Sequence, residues 1–149
     1  MPRLTRTLAS ATLGAALLGA APALAADQDP SLVTVVTSDH AQIQLMAMVL
    51  TTQAVEQGET AHILLCGPGG DIALAEAPES ATAPQPPRDM SPRGMLQMLM
   101  ARGVTVEVCA IYLPGLGADE TVLIEGVGVA QPPAMAAAML AERARVWSF

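Results

Sequence analysis

The apolar residues of this chain alternate between two kinds of spacing. Short continuous runs predict buried strands, and longer segments with apolar residues at helical spacing predict helices. The strand-like runs are residues 32–37, 60–66, 104–109, 126–130 and 146–149. The helix-like segments are residues 40–57, 72–77, 92–102, 118–124 and 132–143. Strands therefore alternate with helices to the end of the chain, which predicts an α/β fold with a doubly wound parallel sheet of about five strands.

Turn residues mark the ends of these segments. Ser38 and Asp39 supply N-cap chemistry in front of the first helix. The second strand runs into a glycine-rich turn, Gly67–Asp71, and the third strand runs into a Leu-Pro-Gly-Leu-Gly loop. Residues 78–90 contain four prolines and no apolar period, which predicts a surface loop.

Residues 1–25 have the pattern of a secretory signal peptide. Two arginines form a positive amino-terminal region, an apolar run follows over residues 8–21, and residues 22–25 supply a small-x-small cleavage pattern. The apolar run is too short for a good membrane span. We therefore expect a periplasmic protein that is soluble after cleavage, with residues 26–149 forming a single domain.

The charge of the mature part excludes two classes of partner. Two of the seven basic residues lie in the leader, so five remain against all fourteen acidic residues, a formal net charge of −9. Such a surface repels nucleic acid and anionic membranes. The aromatic side chains on which single-stranded nucleic acid stacks make up only 2% of the chain. We predict neither nucleic acid nor membrane as a partner of the mature protein.

The carboxyl ends of parallel strands lie along one edge of a sheet, where α/β proteins place their ligands. The residues that this edge gathers after the first three strands are Ser38, Asp39, His40, Cys66, Gly67, Gly69, Gly70 and Cys109. Among them Ser38, Asp39 and the three glycines are candidate ligand-binding residues because they lie at this edge. The backbone N–H groups of the glycine turn could also hold an anion. The glycine spacing matches neither a dinucleotide fingerprint nor a P-loop, so a sharp strand-to-helix turn is the alternative explanation.

Cys109, at the end of the third strand, has two interpretations. A partly exposed thiolate with a lowered pKa would act as a nucleophile or sulfur carrier, whereas a buried cysteine would be a small core residue. Cys66 ends a strongly apolar run and is more typical of a core position. Two cysteines in an oxidising compartment also allow a disulfide, which depends on whether their strands are neighbours.

The two histidines are weaker candidates. His40 is a candidate base or charge partner for a thiolate, and an exposed position near the helix cap accounts for it as well. His62 lies inside the second strand and is interpreted as a packing or edge-filling residue. No serine lies in a Gly-x-Ser-x-Gly elbow, so hydrolase chemistry has no support.

Methionines make copper handling a further hypothesis. Seven of them lie in the predicted helices, Met95 and Met98 at i, i+3 spacing, and thioethers together with a thiolate suit Cu(I). In a chain with so few aromatic residues, methionine at helical spacing is more typical of core filling. No other pattern of metal ligands occurs, and we predict no metal and no cofactor.

The order and spacing of several blocks in the mature chain resemble the DsrE/DsrF-like family of sulfur-relay proteins, particularly its small exported members. The blocks that carry the resemblance are Thr37–Asp39, Leu45–Leu50, Leu64–Cys66 with its glycine turn, Asp71–Leu74, Pro92–Leu96 and Gly103–Ala110. The last block is the most specific. Its glycine, strand and terminal cysteine stand where sulfur-binding members of the family carry their persulfide-forming residue.

The resemblance implies a flavodoxin-like three-layer α/β/α domain that assembles into trimers or hexamers. It nominates Cys109 as the sulfur acceptor. It also implies that the second and third strands are neighbours, which would make Cys66 a second thiol or a disulfide partner. The leading hypothesis is a periplasmic protein, at most transferase-like, that binds or relays sulfane sulfur as a cysteine persulfide between a donor and an acceptor protein. The alternatives are an oligomeric ligand- or partner-binding module with structural cysteines, and Cu(I) handling.

Overall fold

The computed structural model describes residues 29–149, and the predicted leader, residues 1–25, lies outside this range. The strands are β1 Leu32–Val36, β2 Ala61–Leu65, β3 Thr105–Val108, β4 Val127–Val129 and β5 Arg145–Ser148. The helices are α1 Ala41–Glu56, α2 Glu79–Thr82, α3 Pro92–Ala101, α4 Tyr112–Leu116 and α5 Pro132–Leu140. Among the described residues, no helix is long and apolar enough to cross a membrane.

The five strands are all parallel and form one sheet in the order β4-β3-β2-β1-β5. The chain adds β2, β3 and β4 in turn on one side of β1 and then returns to the other side for β5. Right-handed crossovers put the helices of the outward path on one face and the returning helix on the other. Accordingly α1 and α3 pack together, and α5 packs on a separate core on the opposite face. The predicted three-layer flavodoxin-like α/β/α fold is confirmed.

Alternate residues of β1 and β2 face two hydrophobic cores of different size. The large core lies under α1 and α3, and its fully buried side chains include Val36, Met48, Ile63, Leu65, Ile72, Leu96, Leu99 and Val108. The small core lies under α5 and consists of Val33, Leu64, Ala130, Met135 and Ala138. Burying one large aliphatic side chain stabilises the fold by about 1.5–3 kcal/mol. The large core therefore contributes most of the hydrophobic stabilisation.

The proline-rich segment 78–90, predicted as a surface loop, contains one short helix. It contains α2, in which Ala81 is only 1% exposed and belongs to the large core. Further on, the Gln85 N–H donates to the Met90 carbonyl over 2.9 Å. Most residues of the segment are exposed, and the one-turn helix with its single buried alanine could not be predicted from the proline content, which reports on local backbone preference.

The connection between β3 and β4 was predicted as a loop followed by a helix at residues 118–124, and the structure has the opposite order. The predicted loop contains α4, and residues 118–124 contain only the 3-10 turn Glu120–Val122. Pro114 is tolerated in α4 because N–H groups in the first turn of a helix have no intrahelical partner. Asp119 accepts a hydrogen bond from the Thr121 N–H over 3.0 Å, which closes the turn locally. The helix predicted at residues 72–77 is likewise replaced by a 3-10 turn, which spans Gly67–Ala73.

Candidate functional site

The two cysteines are joined in a disulfide at the carboxyl edge of the sheet. β2 and β3 are neighbours with Leu65 opposite Val108, so the residues that follow the two strands lie side by side. The Cys109 N–H donates to the Leu65 carbonyl over 2.8 Å, which extends the ladder up to the cysteines. The Cα atoms of Cys66 and Cys109 are 5.0 Å apart, within the usual range for a disulfide. The cysteine count alone allowed either two free thiols or a disulfide. Because β2 and β3 are neighbours, the two cysteines form a disulfide.

The disulfide lies toward the α5 side of the sheet, and both cysteines are half-buried. Side chains alternate along a strand, so Cys66 shares the face of Leu64 and Cys109 shares the face of Glu107. Both cysteines pack against the small core, to which α5 contributes Met135, and Cys109 also packs against the large core. The pair is therefore neither sealed inside the large core nor fully exposed. Partial exposure is one of the conditions for thiol reactivity.

A hydrogen bond just beyond the cysteines joins the same two segments a second time. The Tyr112 hydroxyl donates to Asp71 Oδ1 over 2.7 Å. Tyr112 is only 7% exposed. Burial, and then the bond to Asp71, raise the pKa of the Tyr112 hydroxyl, so it remains a neutral donor. We name this bond the latch, because it holds the segment after Cys66 against the segment after Cys109 independently of the disulfide.

The glycine turn after β2 is explained by close packing. A Cβ atom on Gly70 would overlap the ring of Tyr112, and one on Gly69 would overlap the carbonyl group of Val36. Only glycine allows the backbone to approach so closely. Of the three glycines predicted to bind a ligand, Gly67 is exposed, whereas Gly69 and Gly70 are buried. The latch therefore depends on Gly70, which leaves room for the tyrosine ring.

The remaining predicted site residues follow β1. The Ser38 hydroxyl accepts a hydrogen bond from the His40 N–H over 3.1 Å, and the Ser38 carbonyl accepts one from the Gln44 side-chain amide over 2.9 Å. These bonds shape the entry to α1, where His40 occupies the N-cap position. Asp39 and His40 are exposed. Within residues 29–149 the His40 ring makes no hydrogen bond, so the geometry does not link it to either cysteine.

One hydrogen-bonded pair on the α5 side was not predicted from the sequence. His62 Nε2 lies 2.9 Å from Glu107 Oε2, with the two side chains 16% and 25% exposed. The interpretation of His62 as a packing or edge-filling residue did not include this bond, because it treated the strand by itself. The two residues are in adjacent strands, His62 opposite Thr105 and Leu64 opposite Glu107. The side chains of His62 and Glu107 lie on the same face of the sheet, but this predicts a contact only when the two strands are known to be neighbours.

Only two of the methionines in the described residues, Met135 and Met139, belong to the small core against which the cysteines pack. Met48 and Met95 are buried in the large core, Met46 is 50% exposed, and Met135 packs in the small core. The Cys109 sulfur is engaged in the disulfide and offers no thiolate to Cu(I) in this state. Among the described residues, no three histidine, cysteine, aspartate or glutamate side chains are grouped to hold a metal ion.

An open groove of about 420 Å³ lies away from the cysteine residues. Its lining residues are Leu74, Ala75, Glu76, Leu116, Ala118, Thr121 and Val122. Beside it, the Arg93 guanidinium donates to three backbone carbonyls within residues 72–75. Burial lowers the pKa of Arg93, and Glu76 opposes this effect. Arg93 therefore anchors α3 to the segment after the glycine turn.

Fold and site together define a class of protein: a small parallel α/β domain with a cysteine pair at the carboxyl edge of its sheet. Two solved structures have a similar fold. The YchN protein from E. coli has 21% sequence identity and a TM-score of 0.62, over 79% of this chain and 97% of that chain. MTH1491 from Methanobacterium thermoautotrophicum has 15% identity and a TM-score of 0.58, over 79% of this chain and 97% of that chain.

Both of these proteins have the DsrE-like fold, and this chain shares that fold. No family model matches the chain. No curated protein matches its sequence.

Proposed function

We propose that this protein carries sulfane sulfur as a persulfide on Cys109 and passes it to an acceptor thiol, in the periplasm to which the leader would direct it. The observation that carries the proposal is the half-buried cysteine pair at the carboxyl edge of a DsrE-like sheet. The resemblance of Gly103–Ala110 to the persulfide-forming block of sulfur-relay proteins supports Cys109 as the acceptor. Sulfur donor and acceptor proteins are the partners that this role requires.

Sulfur transfer to Cys109 is a nucleophilic substitution at sulfur. A dithiol first reduces the disulfide by thiol–disulfide exchange. The Cys109 thiolate then attacks the outer sulfur of a persulfide or polysulfide donor. A new bond forms between Cys109 Sγ and that sulfur, and the S–S bond of the donor breaks with its electron pair leaving on the donor. An acceptor thiolate repeats the same step on the outer sulfur of the Cys109 persulfide, which restores the Cys109 thiolate.

The surroundings of Cys109 favour holding a sulfur atom over losing it. The ladder between β2 and β3 fixes the backbone before the cysteine, and the latch fixes the backbone after it. The apolar small core covers one side of the pair. Access governs the rate of thiol–disulfide exchange, so this cover slows attack by bulky thiols on the persulfide.

We also propose that the protein is a homo-oligomer, a trimer or hexamer as the resemblance implies. α1 carries three apolar side chains at helical spacing, Ile43, Met46 and Leu50, which are 41%, 50% and 39% exposed. A contiguous exposed apolar row is typical of a surface that another protein covers. Sedimentation or light scattering of the mature chain measures the assembly directly.

The test of the carrier role is mass analysis of the reduced mature chain after exposure to polysulfide. We expect one additional sulfur atom, located on Cys109 by peptide mapping. Cys109→Ser abolishes the gain. Cys66→Ser is the matched control, since it also removes the disulfide but retains Cys109, and it keeps the gain. An unmodified Cys109 in reduced native protein would contradict the proposal.

A second candidate function is a ligand- or partner-binding module in which the cysteines are purely structural. The disulfide itself favours this candidate, because closing a loop across a separation of 43 residues stabilises the fold by about 4 kcal/mol in the chain-entropy model. The bond should then resist mild dithiols in the folded protein, and Cys109→Ala should lower stability with no sulfur chemistry to lose. Rapid reduction and alkylation of the native protein would count against it.

A further inference from the structure

We propose that hydrosulfide loads this site directly by opening the Cys66–Cys109 disulfide, so that the oxidised protein is itself a sulfur-accepting state. This inference rests on the proposed function and adds a substrate class to it, inorganic sulfide. Three features of the molecule carry it: the position of the disulfide at the edge of the sheet, the apolar cover on one side of it, and the latch.

The loading step balances with hydrosulfide and the disulfide alone. The sulfur of HS⁻ attacks Cys109 Sγ and forms a new S–S bond. The bond between Cys109 and Cys66 breaks, and its electron pair leaves on Cys66 Sγ as a thiolate. The sulfide sulfur is oxidised to the sulfane level and the protein disulfide is reduced, so the disulfide is the oxidant. The hydrosulfide proton passes to the Cys66 thiolate, which yields a deprotonated persulfide on Cys109 and a thiol on Cys66.

The position of the disulfide makes it reachable by a small nucleophile. Each cysteine directly follows its strand, and the chain beyond opens to solvent, since Gly67 is exposed and Ile111 is 81% exposed. On the other side, the side chains of the small core around the cysteines are apolar. A half-buried bond with solvent on one side and an apolar wall on the other is more accessible to HS⁻ than to a bulky thiol, because exchange rates depend on access to the attacked sulfur.

The latch keeps the two sulfur atoms together after the bond opens. The ladder contact from Cys109 to Leu65 immediately precedes the cysteine pair, and the bond between Tyr112 and Asp71 follows it. Neither contact involves the sulfur atoms. The backbone at the two cysteines is therefore held from both sides in the reduced and in the oxidised protein.

This arrangement gives Cys66 two roles. It is the leaving group during loading, and afterwards it remains beside the persulfide as a resolving thiol. The Cys66 thiolate can attack Cys109 Sγ and expel hydrosulfide, which reverses the loading. Sulfur therefore moves forward only where an acceptor thiolate takes the outer sulfur first. After such a transfer both cysteines are thiols, and exchange with an oxidising protein disulfide restores the bond.

The experiment compares the native mature chain in its oxidised and reduced forms, each treated with hydrosulfide without oxygen, then alkylated and analysed by mass. We expect the oxidised form to gain one sulfur atom on Cys109 and one newly alkylated thiol on Cys66. The reduced form has no disulfide to serve as oxidant and gains nothing, although polysulfide loads it. Using one unmutated chain in two redox states removes any dependence on the folding of a variant.

Cys66→Ser adds a matched comparison, because it should load with polysulfide but not with hydrosulfide. Loading of Cys66→Ser or of the reduced chain by hydrosulfide alone would overturn the inference, and so would a persulfide found on Cys66. Failure of the oxidised chain to load with hydrosulfide, while the reduced chain loads with polysulfide, would overturn the inference and leave the carrier function standing. Failure with both reagents would remove the carrier function as well.

Discussion

The two faces of the sheet are covered to very different depths. On one face α1 and α3 pack against the sheet and against each other over the large core. On the other face α5, a helix of nine residues, covers the small core, and Val146 stays 47% exposed. The disulfide and the His62–Glu107 pair belong to this thinly covered face. The deep face supplies the hydrophobic stabilisation that allows the thin face to keep sulfur atoms and polar side chains close to solvent.

The largest expected effect concerns the disulfide on the thin face. Removing it with Cys66→Ser and Cys109→Ser together should lower the free energy of unfolding by about 4 kcal/mol, because the unfolded chain is no longer closed across a separation of 43 residues. Urea unfolding of the oxidised native chain and the double variant measures the difference. A dithiol should destabilise the native chain and leave the double variant unchanged. Equal stability of all forms would show that the disulfide contributes only chemistry.

The next prediction compares a leucine-to-alanine substitution in the large core with the same substitution at an exposed position of α5. Leu96 is 0% exposed in the large core, and Leu140 at the end of α5 is 84% exposed. Leu96→Ala should lower the free energy of unfolding by about 3 kcal/mol, because it leaves a cavity. Leu140→Ala should change it by less than about 0.5 kcal/mol. Similar costs in urea unfolding would mean that α5 is buried in an assembly and that its face is not thin in solution.

The latch should contribute less than a core leucine. Tyr112→Phe keeps the ring over Gly70 and leaves the half-buried Asp71 without its donor, at a cost of about 1 kcal/mol. Because folding raises the pKa of the hydroxyl above its ordinary value of 10.0, the contribution is present below that pH and is lost as the pH rises above it. The stability gap between native and variant should therefore narrow in alkaline solution.

Tyr112 is the only tyrosine of the chain, so ultraviolet absorbance follows its ionisation without interference. We expect the phenol of the folded protein to ionise at higher pH than that of the unfolded protein. A constant stability gap across this range, or coincident titrations of the folded and unfolded chains, would contradict the latch.

The smallest effect concerns two side-chain pairs that differ in exposure, the His62–Glu107 hydrogen bond and the Arg102–Glu56 ion pair. His62→Ala leaves Glu107 half-buried without its partner and should cost about 1 kcal/mol. Arg102→Ala breaks a pair with Glu56 in which the side chains are 45% and 49% exposed, and it should cost less than about 0.5 kcal/mol. Thermal unfolding of the two variants at neutral pH compares them. A larger loss from the exposed pair would reverse the expected ranking.

Local patterns predicted most of the architecture, and their failures have local causes as well. The alternation of apolar runs and helical periods is set within each segment, so all five strands and the helices α1, α3 and α5 lie close to their predicted positions. Residues 118–124 have the composition of a helix. However, the Asp119 side chain accepts a hydrogen bond from the Thr121 N–H, and the segment forms only a 3-10 turn. Such side-chain bonds compete with helix formation.

The candidate site was predictable in part. The position of Cys109 at the carboxyl edge could be predicted from two features alone: the predicted strand ends at this cysteine, and the predicted sheet is parallel. The contribution of Gly70 was not predictable, since its lack of a side chain matters only because the ring of Tyr112 lies against it. His40 shared the same edge by sequence, but the edge extends over several strands and sharing it does not imply contact.

The sequence by itself determined the class of fold and the edge on which the cysteines lie, because the period of apolar residues and the alternation of strands with helices are local properties. Only the tertiary structure decided which side chains meet. The Asp71–Tyr112, Cys66–Cys109 and His62–Glu107 pairs span separations of 41, 43 and 45 residues. All three depend on β2 lying beside β3 in one register. Local periodicity carries no information about which strands become neighbours, and that order is settled only when the helices pack and the cores close.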